Sequence, residues 1–160
     1  MVECVVPTPL ARNLAITSDG GQVVAARFVS RAISVRRITD PVLREAAAQV
    51  RAYFARRLPC FDIPLHHSGT VLQVEVWRAV STLAFGQFVS YADIARALGH
   101  PRSYRGVAAA LAKTPIALFV PAHRVIGADG QLKGCAKRSM RAQLASFERP
   151  QRPEARRYQR

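Results

Sequence analysis

Acidic residues are scarce in this chain. Ten Asp+Glu stand against 24 Lys+Arg in 160 residues, a formal charge of +14 with a pI near 11.3. That imbalance excludes an acidic, self-solvating chain and favours polyanionic partners, of which nucleic acid is the commonest inside a cell. Lysine is scarcer still: only Lys113, Lys133 and Lys137 occur, so nearly all the positive charge is arginine, which forks onto phosphate and stacks on flat rings. The three cysteines, Cys4, Cys60 and Cys135, have no CxxC spacing, which excludes a disulfide framework or a cysteine-rich zinc knuckle. Cys60 has His66 and His67 nearby in sequence, but adjacent histidines point apart on most backbones and no fourth ligand is evident. No metal and no cofactor are therefore expected. No apolar run reaches the roughly eighteen residues of a membrane span, and "MVECVVPTPL" lacks the basic start and apolar centre of a secretory leader. The expectation is a cytoplasmic, nucleoid-associated protein with no membrane contact.

What the chain does have is an ordinary globular balance, 49% hydrophobic and 21% charged, with enough length to bury a core. An α+β organisation is expected: an N-terminal β-sheet subdomain followed by a C-terminal helical domain with a helix-turn-helix. Residues 1 to 38 alternate in the β manner through "GQVVAARFVS" and "RAISVRRIT", predicting an antiparallel sheet. Asp40 and Pro41 then open a helix carrying Val42, Leu43, Ala46, Val50, Tyr53, Phe54 and Leu58 at helical spacing, which can cover the sheet. "LPCFDIPLHHSG" breaks this periodicity and predicts a linker, giving domains over 1–64 and 68–148. Residues 149–160, rich in arginine and proline, are expected to form a disordered basic tail.

In the second domain, Thr70 and Gln73 form a capping box before a helix expected to end at Gly86. Ser90 and Asp93 start "YADIARAL", which stops at Gly99, and Pro101 is expected to open a further helix running to about Lys113. Two short helices around a tight Gly-containing turn match a helix-turn-helix. The second places Arg102, Ser103 and Arg105 at its start, with Gly106, Ala108, Ala109 and Ala112 behind them. A helix so bare can bring its backbone close to a groove while an arginine reaches a phosphate or base stack. A strand over "IALFV", a "GADGQ" turn and a helix from about Ser139 to Glu148 complete the chain.

The stretch from Trp77 to Glu148, through "VWRAV", "SYADIA", "TPIALFVPAHRVIG" and the downstream glutamate, resembles the O6-alkylguanine-DNA alkyltransferases, or methylated-DNA–protein-cysteine methyltransferases. That family reads Pro-Cys-His-Arg-Val, and its cysteine takes the alkyl group from a flipped guanine. Carried over by position, the resemblance implies His123 as the base that draws off the thiol proton and Glu148 as its orienting partner. It implies Arg105 as the finger that replaces the flipped base, and Tyr91 as an aid to rotating the target phosphate in a minor-groove mode. Arg124 joins the DNA-binding set, and Val120, Pro121, Ala122, Tyr91 and Cys135 the expected substrate pocket.

The acceptor position is Ala122, a methyl group with no lone pair. Two explanations stand open: a natural member that lost transfer, or a laboratory substitution. Other departures bear on the choice. Thr114-Pro115 replaces the family's Asn-Pro hinge, and "GCAKR" replaces a Gly-Tyr followed by a small residue and a Gly-Gly pair, with one residue missing nearby. Disabling one nucleophile would not require redrawing the pocket wall, so these changes favour the natural, non-transferring kind, resembling the alkyltransferase-like proteins. The resemblance then implies recognition of O6-alkylguanine in double-stranded DNA by a monomer, and handover to nucleotide excision repair through UvrA. Two alternatives remain at this point: transfer to a relocated acceptor, Cys135, with Lys137 beside it in sequence, or general DNA binding or regulation without lesion preference.

Overall fold

The computed structural model describes residues 1–31 and 37–150. The expectations for "RAISVRRIT" fall largely on 32–36, and those for the tail largely on 151–160, outside the described residues. Three antiparallel strands, β1 (Val2–Val6), β2 (Asn13–Ser18) and β3 (Val23–Val29), pair in the order β1-β2-β3, with Cys4 opposite Ile16 and Ile16 opposite Ala26. Asp40 caps α1 (Pro41–Phe54), accepting the Leu43 amide at 2.9 Å with proline at the first helical position. Leu43, Ala46, Ala47, Val50 and Tyr53 recur on one face, and all are buried. Burial of each large side chain in that stripe is worth about 1.5–3 kcal/mol, so the stripe docks α1 on the sheet.

The expected linker over 58–69 is stitched down. The Gln49 amide donates to the Asp62 carbonyl at 2.7 Å and accepts its N–H at 2.9 Å. Val23 donates to the Pro64 carbonyl at 2.8 Å, and its own carbonyl accepts the His66 N–H at 2.9 Å. The two prolines break the helical period without freeing the segment, because an edge of β3 offers backbone partners. One contiguous core accordingly runs from Val6 and Leu14 through Trp77 to Leu144.

The capping box at Thr70 and Gln73 starts α2 (Val71–Val80). The helix stops well before Gly86, because the Ser81 and Thr82 hydroxyls donate to the Trp77 and Ala79 carbonyls, each at 2.7 Å. Ser90 and Asp93 cap α3 (Tyr91–Ala97), and Gly99, at φ +75°, makes the turn to α4 (Tyr104–Ala112). Pro101 therefore lies in the turn before α4 and does not open it. The Trp77 indole N–H donates to the Ala110 carbonyl at 2.9 Å and fixes α4 against α2. Two-residue strands β4 (Val89–Ser90) and β5 (Val125–Ile126) pair in parallel, and α5 (Met140–Glu148) is capped by Ser139.

"IALFV" forms no regular strand. Ala26 binds it at two points, donating to the Pro115 carbonyl at 3.0 Å and accepting the Ala117 N–H at 2.9 Å. Leu118 then turns into the left-handed region at φ +71°, and Ala117 bridges back to Val120. That reversal ends the extended run after one bridge and delivers the chain into Pro121 and Ala122.

Candidate functional site

A 3-10 turn over Ala122–Arg124, with His123 and Arg124 buried, lies between the Val120 reversal and β5. Pairing of β5 with β4 brings this turn beside Tyr91, the first residue of α3. His123, Arg124 and Glu148 are 1–2% exposed. Buried ionisable groups need pairing and hydrogen bonds, and each of these has them, although Arg124 Nη2 is buried without a partner among the described residues. His123 Nε2 bonds Glu148 Oε2, which also accepts the Tyr53 hydroxyl at 2.7 Å. Glu148 Oε1 accepts Arg124 Nε and the Gly86 N–H, each at 2.8 Å, and Arg124 Nη1 donates to the Leu83 carbonyl at 2.6 Å.

These contacts set the protonation states. Burial alone would raise the Glu148 carboxyl, but the hydrogen bond and charge from His123, then Arg124 and the Gly86 N–H, overcome it and bring it down to about 2. Burial depresses the His123 imidazole below its ordinary value, against the opposing pull of Glu148, and the neighbouring Arg124 and Arg141 guanidinia add to the depression. At neutral pH the set is therefore an ionised Glu148 paired with Arg124⁺, and a neutral His123 whose Nε2–H donates to the carboxylate. The Nδ1 lone pair is left as a proton acceptor. Burial and then the Glu148 charge raise the Tyr53 phenol, which stays protonated as a donor. The arrangement can accept a proton and hold a polar ring in place. With a methyl group at Ala122, it supplies no nucleophile.

Around this centre the expected pocket residues divide. Val120, Ala122 and His123 line a cavity of about 190 Å³ with Met140, Arg141 and Leu144, an apolar chamber in which the buried Thr114 hydroxyl has no partner among the described residues. Cys135 opens onto a different cavity, of about 270 Å³, with Gln131, Lys137 and Arg149. Pro121 is buried behind the turn, and neither Pro121 nor Tyr91 lines the cavity beside Ala122. The pocket expected between Ala122, Tyr91 and Cys135 is thus split. Helix α5 lines both cavities, the first through Met140, Arg141 and Leu144 and the second through Ala142 and Ala145, and Arg141 links Ala122 to Tyr91.

Arg141 donates through Nε to the Ala122 carbonyl at 3.2 Å, through Nη1 to the Lys133 carbonyl at 3.2 Å and through Nη2 to the Tyr91 hydroxyl at 2.8 Å. The same hydroxyl accepts the Lys133 N–H at 3.2 Å. Tyr91 is consequently buried and fully engaged, so it can reach a phosphate only if this network opens. Just before α4, Arg102 is exposed and Ser103 half-buried, and on the helix Arg105, Ala109 and Ala112 are exposed, whereas Arg124, expected in the DNA-binding set, is buried and spent on Glu148. Gly106 faces inward: a Cβ there would meet Leu72 of α2 at 3.2 Å, which gives the glycine a helix-packing reason.

Tyr53, Gly86 and Arg141 were not singled out from the sequence. In the sequence Tyr53 shows only as part of an apolar stripe, and Gly86 only as a helix stop. Arg141 carried a usable signal, since it lies seven residues before Glu148 and hence on the same face of α5. Among the described residues, no cluster of three His, Cys, Asp or Glu side chains is placed to hold a metal ion.

Residues 71–149 match the family described as 6-O-methylguanine DNA methyltransferase, DNA binding domain. A methylated-DNA–protein-cysteine methyltransferase of Methanosarcina barkeri is 46% identical over 93 residues, 58% of this chain and 59% of that protein. The chain thus spans about three fifths of the length of the first curated relatives it matches. Among solved structures, the O6-methylguanine methyltransferase of Mycobacterium tuberculosis superposes with a TM-score of 0.79 at 30% identity, covering 95% of this chain and 94% of that one. A structure of the Mycobacterium tuberculosis protein in complex with DNA gives a TM-score of 0.72 at 33% identity, covering 91% of this chain and 93% of that one.

Proposed function

The chain belongs to the O6-methylguanine DNA methyltransferase family, and from that footing we propose that it binds double-stranded DNA at O6-alkylguanine and holds the lesion without transferring the alkyl group. One observation carries this reading: Ala122, which family resemblance puts at the acceptor position, adjoins a buried network in which His123, Glu148, Tyr53 and Arg124 are all present and bonded. Keeping a buried ionised network after losing its nucleophile makes sense if the cavity it shapes still has an occupant. A methyl in place of a thiol also enlarges the space beside Ala122, which suits an alkyl substituent that stays on its guanine.

DNA binding is supported by the exposed arginines and bare face of α4, by the excess positive charge, and by the related Mycobacterium tuberculosis protein having been solved in complex with DNA. In this reading Arg105 fills the gap left by the flipped base, Arg102 and Ser103 meet the backbone, and the guanine enters beside Ala122 and His123. A relocated acceptor at Cys135 draws no support from the geometry, because that thiol opens onto a separate cavity. The bound lesion would pass from this monomer to nucleotide excision repair through a UvrA-type ATPase, a step that co-purification on lesion-bearing DNA tests. The primary test is fluorescence anisotropy with matched duplexes, with and without O6-methylguanine, at one salt concentration. Tighter binding of the lesion duplex is expected, and equal affinity overturns the reading.

A further inference from the structure

Among the described residues only four large hydrophobic side chains are exposed: Met1, Val2, Val71 and Tyr104. Tyr104 is the sole aromatic of the four. It is 49% exposed at the first position of α4, immediately before Arg105, whose guanidinium carbon lies 5.9 Å from the centre of its ring. The first turn of α4 carries no acidic residue, and Arg102 stands exposed just ahead of it. The tip of the helix is thus a flat aromatic and a flat cation side by side, facing water. Neither packing nor helix formation asks for a tyrosine there. The helix is anchored elsewhere by Val107, Ala110 and Leu111, and tyrosine is a poorer helix former than alanine.

We propose that Tyr104 is a second stacking residue, placed against the base that flanks the extruded nucleotide. This rests on the DNA-binding reading above and adds a contact to it. A base presents an apolar face of any sequence, and an exposed aromatic beside an arginine is the side-chain pair that can cover it. Side chains wedged between base steps partly unstack the duplex, which lowers what flipping the neighbouring base requires. Arg105 then occupies the vacated position while Tyr104 covers the adjacent step.

The test compares Tyr104→Ala, Tyr104→Phe and Tyr104→Trp with the unsubstituted chain on an O6-methylguanine duplex, with 2-aminopurine next to the lesion as a stacking reporter. Tyr104→Ala should weaken binding by about five- to a hundredfold and abolish the reporter's fluorescence change. Its salt dependence should be unchanged, because stacking releases no counterions. Tyr104→Phe and Tyr104→Trp should bind within about threefold of the unsubstituted chain, the range of an altered stacking partner and well below the loss on truncation. Thermal unfolding of all three should match the unsubstituted chain, as expected for a half-exposed side chain at a helix tip. Tyr104→Ala binding as tightly as the unsubstituted chain overturns the inference while leaving the function intact. So does Tyr104→Phe failing as badly as Tyr104→Ala, which would assign the contact to the hydroxyl. If the unsubstituted chain binds neither duplex, both the inference and the reading beneath it fall.

Discussion

Tyr53 of α1 and Glu148 of α5, 95 residues apart, meet in the core through a 2.7 Å hydrogen bond, which makes the N-terminal part of the chain a structural partner of the site. The carboxylate receives two donors on each oxygen: Tyr53 and His123 on Oε2, Arg124 and Gly86 on Oε1. Removing one donor from a buried charge loses a charged hydrogen bond and leaves the other partners to compensate. Tyr53→Phe should lower unfolding stability by about 1–3 kcal/mol without loss of fold. Urea denaturation followed by tryptophan fluorescence reads it directly, since Trp77 is the only tryptophan.

Glu148→Gln is a harsher change. It leaves the Arg124 guanidinium, 1% exposed, without its counter-charge, and breaking such a pair costs about 3–5 kcal/mol. A loss clearly greater than that of Tyr53→Phe is expected in the same urea experiment. Comparable losses would mean that Arg124 finds compensation elsewhere.

Acid should unfold the protein through this same network. Glu148 is depressed to about 2 and His123 lies below its ordinary value, so both bind protons more readily in the unfolded chain than in the folded one. Stability therefore rises with pH across the window from about 2 to 6.5, and falls as pH drops through it, with the histidine contribution lost first. Thermal unfolding between pH 7 and pH 3 measures the slope. His123→Phe should flatten its upper part, below pH 6.5, and Glu148→Gln its lower part.

How much of this was legible in the sequence depended on whether the signal was local. The caps at Asp40, Thr70 and Ser90 were legible because a cap and its target lie three residues apart. The pairing of His123 with Glu148 was implied by family resemblance alone, because their separation of 25 residues has no periodicity to expose it. Tyr53 was hidden by its own chemistry, since its ring packs in an apolar stripe while only its hydroxyl reaches the site. The strand expected over "IALFV" failed because hydrophobicity reports burial and not pairing. That segment is buried by docking on Ala26, and Leu118 turns it back at once.

Arg105→Ala separates lesion recognition from general DNA binding. It should reduce affinity for the O6-methylguanine duplex about five- to thirtyfold, the scale of a desolvated cation stacked on a ring, with little change for the undamaged duplex. Competition anisotropy with both duplexes reads the difference. Equal losses on both would point to a protein that grips DNA without sensing the lesion.

Ala122→Cys asks whether the relay is still competent. A thiol at this position would lie beside a neutral His123 able to accept its proton, so the substituted protein should take one methyl group from O6-methylguanine DNA. Adding His123→Ala should slow that transfer about a hundredfold or more. Peptide mass spectrometry over a time course measures both.

The central claim is recognition without transfer, and intact-protein mass spectrometry tests it most directly when run on the unsubstituted chain after saturation with an O6-methylguanine duplex it has been shown to bind. The account predicts tighter binding of the lesion duplex than of its undamaged counterpart, with no change in protein mass. A gain of one methyl mass on the chain would contradict it.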